Sequence, residues 1–266
     1  MADYFIGDVH GCYAEMLELV AELELNPDDK LFFAGDLVNR GPESLETLRW
    51  VKDNNAKMVL GNHDLYLLAC YFKAIPGNYN HTFHRVIASD FCSDLMEWLL
   101  SQPLYLDFSD HKLFLSHAGL YPGWSIAEAK ALADEVCDFM RSKPIEFFKS
   151  MFGNDGISWE AAKGREQRYR FVVNAFTRMR YVTKSGSLDF GSHKPPPHPV
   201  KELKPWYYYL PSDIDYKFAF GHWSALGGYM PAKNVIALDG GCVWGNELLS
   251  WQLQNDEWHS IKCCRD

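Results

Sequence analysis

The chain has 266 residues, of which 47% are hydrophobic and 15% aromatic, so it can bury a sizeable core and does not have the composition of a disordered protein. Its net charge of -9 argues against a general affinity for nucleic acid, which normally needs a basic face. An anionic substrate must therefore be met locally, by metal ions and a few arginines. No uncharged apolar run of about 18 residues occurs and the first strand starts at once, so we expect no membrane span, no signal peptide and a cytoplasmic location.

The seven cysteines are odd in number and scattered, and no two of them form a CxxC pair. This pattern predicts neither a disulfide framework nor a thiolate zinc site. The one cluster is the tail pair Cys263 and Cys264. Cys12 lies beside the first polar motif, where it is either a nucleophile or, as we favour, a small buried residue at a helix start.

Three apolar runs near the start of the chain, YFIGDVHG, LFFAGDLVNRG and KMVLGNHD, each end in a glycine followed by polar side chains. The polar side chains that they deliver are Asp8 and His10, then Asp36 and Arg40, then Asn62, His63 and Asp64. One such case could be an ordinary turn, but three independent turns would rarely make this choice together. Because binding sites in open α/β sheets form where loops leave the carboxyl ends of strands, we interpret the three motifs as parts of one site.

Segments with helical periodicity follow each of these runs. GCYAEMLELVAELEL places apolar residues at helical spacing, PESLETLRWV offers a proline start, and DLYLLACYF is helical and mostly apolar. Strand, polar loop and helix, repeated three times, predict a parallel sheet built from βαβ units.

The middle of the chain combines helices with a hairpin. Residues of about 75–100 and 125–152 have a helical pattern and are expected to be helical insertions in a single domain of residues 1–266. Between them, LYLDF and HKLFLSHAG predict a hairpin, and the second arm ends in His117. This histidine is another metal-competent side chain at a strand end.

The last part of the chain begins with a Pro-rich segment of about 191–206, which predicts an extended surface loop. We interpret its histidines, His193 and His198, as solvated rather than ligating. Three strand-like runs, DYKFAFGHW, NVIALDGGC and ELLSWQL, close the chain. The first of them ends in Gly221 and His222, so a fifth strand end delivers a candidate ligand.

Together the strand ends offer six side chains that can bind metal, namely Asp8, His10, Asp36, Asn62, His117 and His222. Carboxylate, imidazole and amide ligands without thiolate suit divalent ions such as Mn, Fe, Co, Zn or Mg. Six ligands exceed the need of one catalytic ion, so they predict two ions about 3.5–4 Å apart with Asp36 as the bridging carboxylate. Two such ions can deprotonate a water and aim it at phosphorus.

Phosphoryl chemistry also needs positive charge near the equatorial oxygens and a group near the leaving oxygen. Arg40 is the candidate for the first role. NAFTRMRY adds Arg178 and Arg180, which would share one face if this run is a strand and would otherwise lie at a solvated edge. His63, flanked by Asn62 and Asp64, is the candidate for the group near the leaving oxygen.

The series GDVHG, GDLVNRG, GNHD, a later isolated histidine and GH resembles the metal-dependent phosphoesterases that include the Ser/Thr protein phosphatases. The match is closer to one branch, the bacterial symmetrical diadenosine tetraphosphatases. It extends over nearly the whole chain, through VVNAFTRMRY, LKPWYY, FAFGHWSALGG and ALDGGCVWG. A lone GDxH would be a weak signal, whereas the spaced series is highly specific.

This resemblance implies an α/β fold of two packed mixed β-sheets flanked by helices, with a helical insertion and the metal ions at the strand ends. The implied ligands of the first ion are Asp8, His10 and Asp36, and those of the second are Asp36, Asn62, His117 and His222. The implied catalytic residues are His63 at the leaving group, its neighbour Asp64, and Arg40 with one of Arg178 or Arg180 on phosphate. The implied reaction is attack of a metal-bridging hydroxide that splits diadenosine tetraphosphate into two ADP, with Mn or Co as the activating ions.

Asn39 departs from the pattern of the protein phosphatases, in which this position is typically an aspartate that pairs with the histidine corresponding to His63. A carboxylate would keep the imidazole protonated as a general acid, and an amide cannot supply that charge. Either the position has no consequence or, as we favour, the change follows the leaving group. A serine alkoxide needs a proton, whereas ADP departs as a phosphate whose second pKa is about 6.

Adenine recognition and the physiological substrate remain open at this stage. Trp223, beside His222, is the candidate adenine contact, because stacking on a base contributes about 1–3 kcal/mol. One alternative is a phosphoprotein phosphatase, against which Asn39 counts, and another is the removal of dinucleotide-like caps from RNA 5′ ends. A silent nucleotide sensor is a third alternative, against which His63 counts. No obligate protein partner and no membrane contact are implied.

Overall fold

The computed structural model of the protein describes residues 1–75, 81–154 and 158–263. Its strands, in chain order, are β1 Asp3–Ile6, β2 Lys30–Phe33, β3 Lys57–Met58, β4 Tyr105–Phe108, β5 Leu113–Ser116, β6 Tyr181–Thr183, β7 Leu188–Asp189, β8 Leu203–Pro205, β9 Lys217–Phe220, β10 Tyr229–Ala232, β11 Val235–Ala237, β12 Glu247–Gln252 and β13 Glu257–Lys262. Its α-helices are α1 Tyr13–Glu22, α2 Ser44–Asp53, α3 Asn62–Tyr71, α4 His81–Ile87, α5 Cys92–Ser101, α6 Ile126–Ser142, α7 Pro144–Ser150 and α8 Gly164–Thr177.

Two five-stranded sheets form the body of the fold, with strand orders β13-β12-β1-β2-β3 and β10-β11-β9-β5-β4. The inner strands are parallel, β1 to β2 to β3 in the first sheet and β5 to β9 to β11 in the second. The outer pairs β1–β12, β4–β5 and β10–β11 are antiparallel. The predicted α/β class with two mixed sheets flanked by helices is therefore confirmed.

The space between the two sheets is filled by one apolar cluster. Phe5 of β1 stacks on Phe32 of β2 with ring centres 5.1 Å apart, and Trp251 of β12 packs against Phe5. Leu115 of β5 and Ile236 of β11 join the same cluster from the second sheet. Burying each such side chain stabilises the fold by about 1.5–3 kcal/mol.

The opposite face of the first sheet is also buried, because Tyr4 and Ile6 of β1 point into the larger cluster that the helices cover. A strand that is buried on both faces needs apolar residues at successive positions rather than at alternate ones. This is why the runs that precede the polar motifs are almost continuously hydrophobic.

The predicted hairpin forms from β4 and β5, which pair in an antiparallel register. The two stretches with a helical pattern contain α4, α5, α6 and α7, and residues 76–80 of the first stretch lie outside the described part of the chain. Among the described helices, none is long and apolar enough to cross a membrane.

Two local expectations were wrong. The NAFTRMRY run is not a strand, because α8 continues to Thr177 and Arg178 is its C-terminal cap. The Pro-rich segment of 191–206 is exposed in its first part, but its last residues form β8, which pairs with β6 in a three-stranded sheet, and Trp206 is fully buried. Proline content predicted the loop, whereas pairing with a distant strand decided its end.

The cysteine pattern predicted no disulfide framework, yet one disulfide joins Cys242 to Cys263. The antiparallel pairing of β12 with β13 returns the end of β13 to the start of β12. There the Cys263 amide donates a hydrogen bond to the Asn246 carbonyl at 2.7 Å. The hairpin register, which no cysteine spacing reveals, therefore brings the two sulfurs together. Cys12 is buried at the start of α1, as favoured.

Candidate active site

A cleft of about 380 Å³ lies where the carboxyl ends of the inner strands of both sheets meet. Its walls contain the motif residues Asp8, His10, Asp36, Asn62, His63 and His222, the arginines Arg40, Arg178 and Arg180, and also Asp239, Phe190, His193, Trp223, Ser224 and Trp244. His117 is fully buried against Asp36 below this surface. The structure thus brings together every ligand and arginine that the sequence predicted.

The first ligand group surrounds His10. Its Nε2 lies 3.7 Å from a carboxylate oxygen of Asp8 and 3.7 Å from one of Asp36. Its Nδ1 is 3.0 Å from the carbonyl oxygen of Val38, which can only accept, so Nδ1 carries the proton. Nε2 is then the nitrogen that faces the carboxylates, and a hydrogen bond from the other ring nitrogen to a backbone carbonyl is the usual arrangement of a metal-binding histidine.

The second group surrounds His117 in the same way. The Nδ1 of His117 donates to the Ala34 carbonyl at 2.7 Å, and its Nε2 lies 3.3 Å from Asp36 Oδ2 and 3.3 Å from Asn62 Oδ1. Ligand atoms of Asp36, His117 and His222 lie within 4.8 Å of one another. Asp36 therefore belongs to both groups and occupies the position of a bridging ligand. Possible ligand atoms of His10, Asp36 and His63 also lie within 4.8 Å of one another.

A buried ring nitrogen without a hydrogen-bond partner and buried carboxylates with raised pKa values indicate that this donor set fits cations. Within the described residues, the Nε2 of His222 is buried and has no hydrogen-bond partner. Burial and the charge of Asp239 raise the pKa of Asp8 well above its usual range, and burial also raises the pKa of Asp239. A backbone amide bonds to each of these carboxylates but does not neutralise its charge, and divalent ions bound between the carboxylates would offset the cost of burying that charge.

Two glycines explain why the motifs pack so closely. A Cβ on Gly61 would overlap the carboxylate of Asp36, and a Cβ on Gly221 would overlap that of Asp8. Backbone amides close to each glycine hold the carboxylates: the amide of His222, directly after Gly221, donates to Asp8 Oδ1 at 3.1 Å, and the amide of His63, two residues after Gly61, donates to Asp36 Oδ1 at 2.7 Å. Glycine before the ligand is therefore a requirement of the neighbouring motif.

Several site residues that are not glycine have left-handed backbone conformations, with φ of 50° at His10, 51° at Asp36, 77° at Asn39, 75° at Arg40 and 64° at His222. Such conformations are sparsely populated and cluster at functional sites, where surrounding contacts hold them. Here the His10 amide donates to the Asp36 carbonyl at 2.8 Å, so the first two loops support each other.

The structure gives Asp64 a different role from the catalytic one that we expected. It is fully buried and accepts hydrogen bonds from the backbone amides of Gly61, Asp36 and Leu37 at 2.9, 2.8 and 3.1 Å. The side chain caps the start of α3 and fixes the loop that carries Asp36. Asp64 is therefore a positioning residue.

The tautomer of His63 is set by Asn39. The Oδ1 of Asn39 accepts from the Arg40 amide at 2.9 Å and from the Thr82 hydroxyl at 3.2 Å, so its Nδ2 faces His63 Nδ1 at 2.6 Å and donates to it. The imidazole proton must then reside on Nε2. Burial, together with His10 and Arg40, lowers the pKa of His63 to about 4, so the ring is neutral at pH 7.

The three arginines are held in different ways. Arg40 is exposed and lies over Trp244, 5.6 Å from the ring centre. Arg178 lies 4.6 Å from the ring centre of Phe190 and also donates to the Asn154 side chain at 2.6 Å. Arg180 donates to the His222 carbonyl at 3.0 Å, and burial lowers its pKa to about 10, which leaves it charged at pH 7. All three guanidinium groups are available to an anionic ligand in the cleft.

Asp239 is a charged residue of the cleft that the sequence motifs did not identify. It follows β11 and is 5% exposed, with one carboxylate oxygen bonded to the Gly241 amide. The signal was present, because NVIALDGGC is an apolar run that ends in an aspartate and a glycine like the other motifs.

Gly221→Ala is expected to abolish stoichiometric metal binding while the chain remains folded, because the added methyl group displaces the Asp8 carboxylate. Metal content after gel filtration would be measured by mass spectrometry, and folding by circular dichroism. The matched control is Gly191→Ala, where the nearest atom to the new Cβ would be 3.8 Å away. Full metal content in the Gly221 variant would contradict the packing argument.

Metal binding is expected to release at least one proton and to weaken as the pH falls. Burial alone would lower the pKa of His117, but the carboxylates of Asp36 and Asp8 raise it to about 10 in the metal-free site. At pH 7.5 the imidazole is then protonated and must lose its proton to bind an ion. Calorimetric titration of Mn²⁺ in two buffers of different ionisation enthalpy counts the protons released, and a count of zero would refute the expectation.

Comparison with known proteins places the chain among relatives that match almost its full length. A family model described as calcineurin-like phosphoesterase matches residues 4–255. The Salmonella paratyphi C protein named symmetrical bis(5′-nucleosyl)-tetraphosphatase is 41% identical over 260 residues, which cover 95% of this chain and 92% of the relative. The protein of the same name from Psychromonas ingrahamii is 39% identical over 271 residues, which cover 100% and 98% of the two chains.

Solved structures show the same fold. A candidate diadenosine tetraphosphatase aligns with a TM-score of 0.70 at 22% identity, over 100% of this chain and 95% of that one. A Saccharomyces cerevisiae protein serine/threonine phosphatase aligns with a TM-score of 0.56 at 16% identity, over 100% and 81% of the two chains. The chain therefore belongs to the calcineurin-like phosphoesterase family and, within it, to the group of proteins named symmetrical bis(5′-nucleosyl)-tetraphosphatases.

Proposed function

We propose that the protein hydrolyses dinucleoside tetraphosphates and splits diadenosine tetraphosphate symmetrically into two ADP. The observation that carries the proposal is one cleft that combines the two overlapping ligand groups with three arginines and the Nε2–H of His63. The names of the relatives, which match this chain over nearly its whole length, supply the substrate class.

The proposed ligands are Asp8, His10 and Asp36 for one divalent ion and Asp36, Asn62, His117 and His222 for the other. Ions bound there supply a water deprotonated at neutral pH and positive charge beside the phosphate oxygens. Mn and Co are the proposed ions because the family resemblance implies them, and the donor set, which suits Mn, Fe, Co, Zn or Mg, is compatible with both.

The chain's own groups carry the rest of the chemistry. The oxygen of a water forms a bond to the phosphorus that is second from one adenosine and the water gives up a proton to solvent. The bond from that phosphorus to the next bridging oxygen breaks, one ADP leaves with that oxygen, and the other ADP carries the new one. Arg40, Arg178 and Arg180 balance charge on the phosphate oxygens during this change. His63 donates a hydrogen bond from Nε2 toward the leaving oxygen. A neutral donor suffices, because ADP departs as a phosphate whose second pKa is about 6.

The α3 helix adds to the phosphate site, because Asn62 and His63 occupy its first turn. The Gly61 and His63 amides at this helix start are bonded to Asp64 and Asp36, so the helix contributes its dipole, which favours an anion at this place. The anionic phosphate chain therefore meets positive potential at the cleft, although the net charge of the protein is -9.

The alternative function is that of a phosphoprotein phosphatase, and the contact between Asn39 and His63 counts against it. A serine leaving group requires a proton from a charged imidazole, which an amide partner does not support. Removal of dinucleotide-like caps from RNA 5′ ends uses the same bond chemistry as the proposed reaction, so it is tested as a second substrate of the same site.

Protein stripped of metal and reloaded with Mn²⁺ or Co²⁺ is expected to convert diadenosine tetraphosphate into ADP alone, as resolved by ion-exchange chromatography. Arg40→Ala should slow the reaction at least tenfold, whereas Arg49→Ala is the matched control, since Arg49 lies over Phe91 outside the cleft. AMP plus ATP would refute symmetric attack. Phosphate release from a phosphopeptide without dinucleotide turnover would favour the phosphatase.

Asn39→Asp is expected to raise the activity on alkyl phosphate monoesters relative to that on dinucleotides. A carboxylate beside His63 Nδ1 favours the charged imidazole, so the pKa of His63 rises and a proton becomes available to an alkoxide. The ratio of kcat/KM for the two substrates would be measured across pH 5–9, with the exposed Asn55→Asp as the control. An unchanged ratio would show that position 39 does not select the leaving group.

A further inference from the structure

Trp244 stands apart from the other tryptophans. The chain has nine tryptophans, and all of them lie in the described ranges. Trp244 is 51% exposed and is the one with a largely exposed side chain, whereas Trp206 and Trp251 are fully buried. An isolated exposed apolar residue is ordinary on a protein surface. Trp244 is different because its exposed ring forms part of the wall of the metal cleft.

Trp223, the adenine contact expected from the sequence, has no such surface. Its side chain is 1% exposed and its ring meets Tyr181 edge to face, with centres 4.8 Å apart. A base could stack on it only after Tyr181 and its surroundings moved. Its place in the cleft wall is therefore structural, and the aromatic surface open to a ligand belongs to Trp244.

The short turn that carries Trp244 is held firmly. Residues Cys242–Trp244 form one 3-10 turn between Gly241 and Gly245, whose φ values of 80° and 85° are left-handed. The Cys242–Cys263 disulfide ties the start of this turn to the end of β13. An aromatic surface that is rigid before binding loses little conformational entropy when a ligand stacks on it.

Arg40 connects this aromatic surface to the phosphate chemistry. Its guanidinium lies 5.6 Å from the centre of the Trp244 ring, and the side chain shares the cleft with the metal ligands. A ligand held by both residues needs a flat, uncharged ring next to a phosphate. A nucleoside diphosphate unit has this chemistry, and an extended phosphopeptide does not supply a base at this distance.

We propose that Trp244 is the stacking platform for one base of the dinucleotide substrate, and that Arg40 binds the phosphate that adjoins this nucleoside. The inference deepens the proposed function and rests on it for the identity of the substrate. Stacking uses the face of the ring rather than its edge, so both adenine and guanine dinucleotides are accepted at this platform.

The test compares two diphosphates that differ in the base. Binding of ADP and of methyl diphosphate to the Mn²⁺-loaded protein would be measured by calorimetry. The native protein is expected to bind ADP about 5- to 150-fold more tightly than methyl diphosphate. This ratio corresponds to the about 1–3 kcal/mol that stacking of a base on an aromatic ring contributes. Trp244→Ala should reduce this ratio to near one, and Trp244→Phe should retain most of it.

The matched control is Phe91→Ala, because Phe91 is an exposed aromatic ring under an arginine, Arg49, outside the cleft. Its ratio should equal that of the native protein. Unaltered binding of methyl diphosphate to Trp244→Ala would show that the variant is folded and that Arg40 has kept its place. An ADP preference that survives in Trp244→Ala, or is missing in the native protein, would overturn the proposal.

Turnover separates this proposal from the proposed function. If diadenosine tetraphosphate is hydrolysed, Trp244→Ala should raise KM more than it lowers kcat, and an unchanged KM would count against the platform. If the native protein does not hydrolyse the dinucleotide, the proposed function fails by itself. A Trp244-dependent preference for ADP would in that case still support the base platform.

Discussion

The carboxylate of Asp36 is the point on which the rest of the site depends. It lies between His10 and His117 and accepts from the His63 amide, while its own backbone amide donates to Asp64. A buried carboxylate in this position needs positive charge around it, which the imidazolium of His117 supplies in the metal-free site and bound cations would supply otherwise. The loops can pack closely around Asp36 because glycines leave room for the neighbouring carboxylates.

Positioning and chemistry are divided among neighbouring residues of the GNHD motif. Gly61 leaves space for Asp36, Asn62 faces the second ligand group, and Asp64 holds the loop from below. His63 is the member that faces the cleft with a donor, and Asn39 decides which of its nitrogens carries the proton. A neutral, oriented imidazole suits a leaving group that carries its own negative charge stably. If the proposed role of His63 is right, the residue paired with this histidine selects which phosphoryl substrates the fold serves.

The cleft also contains aromatic rings beside its arginines, as Trp244 under Arg40 and Phe190 under Arg178. An aromatic ring restrains a guanidinium and offers a surface to a base, so it links the two parts of a nucleotide. Under the proposed function, this link would allow a protein with a net charge of -9 to select a polyanion. Selection then comes from local geometry rather than from the overall field.

The sequence by itself predicted parallel strands that end in polar motifs and the candidate metal ligands, because both have local signatures, whereas the two-sheet arrangement followed from the resemblance of the whole motif series to a known family. Continuous apolar runs mark strands buried on both faces, and a glycine before Asp, Asn or His marks a loop that packs against the next motif. The tertiary structure alone decided the role of Asp64, the inclusion of Asp239, the Cys242–Cys263 pair, the burial of Trp206 in the Pro-rich segment and the exposure of Trp244 rather than Trp223. Each of these depends on which distant strand or ring fills the neighbouring space. A tryptophan has the same local sequence signal whether its face is covered or open, so only packing can distinguish the two.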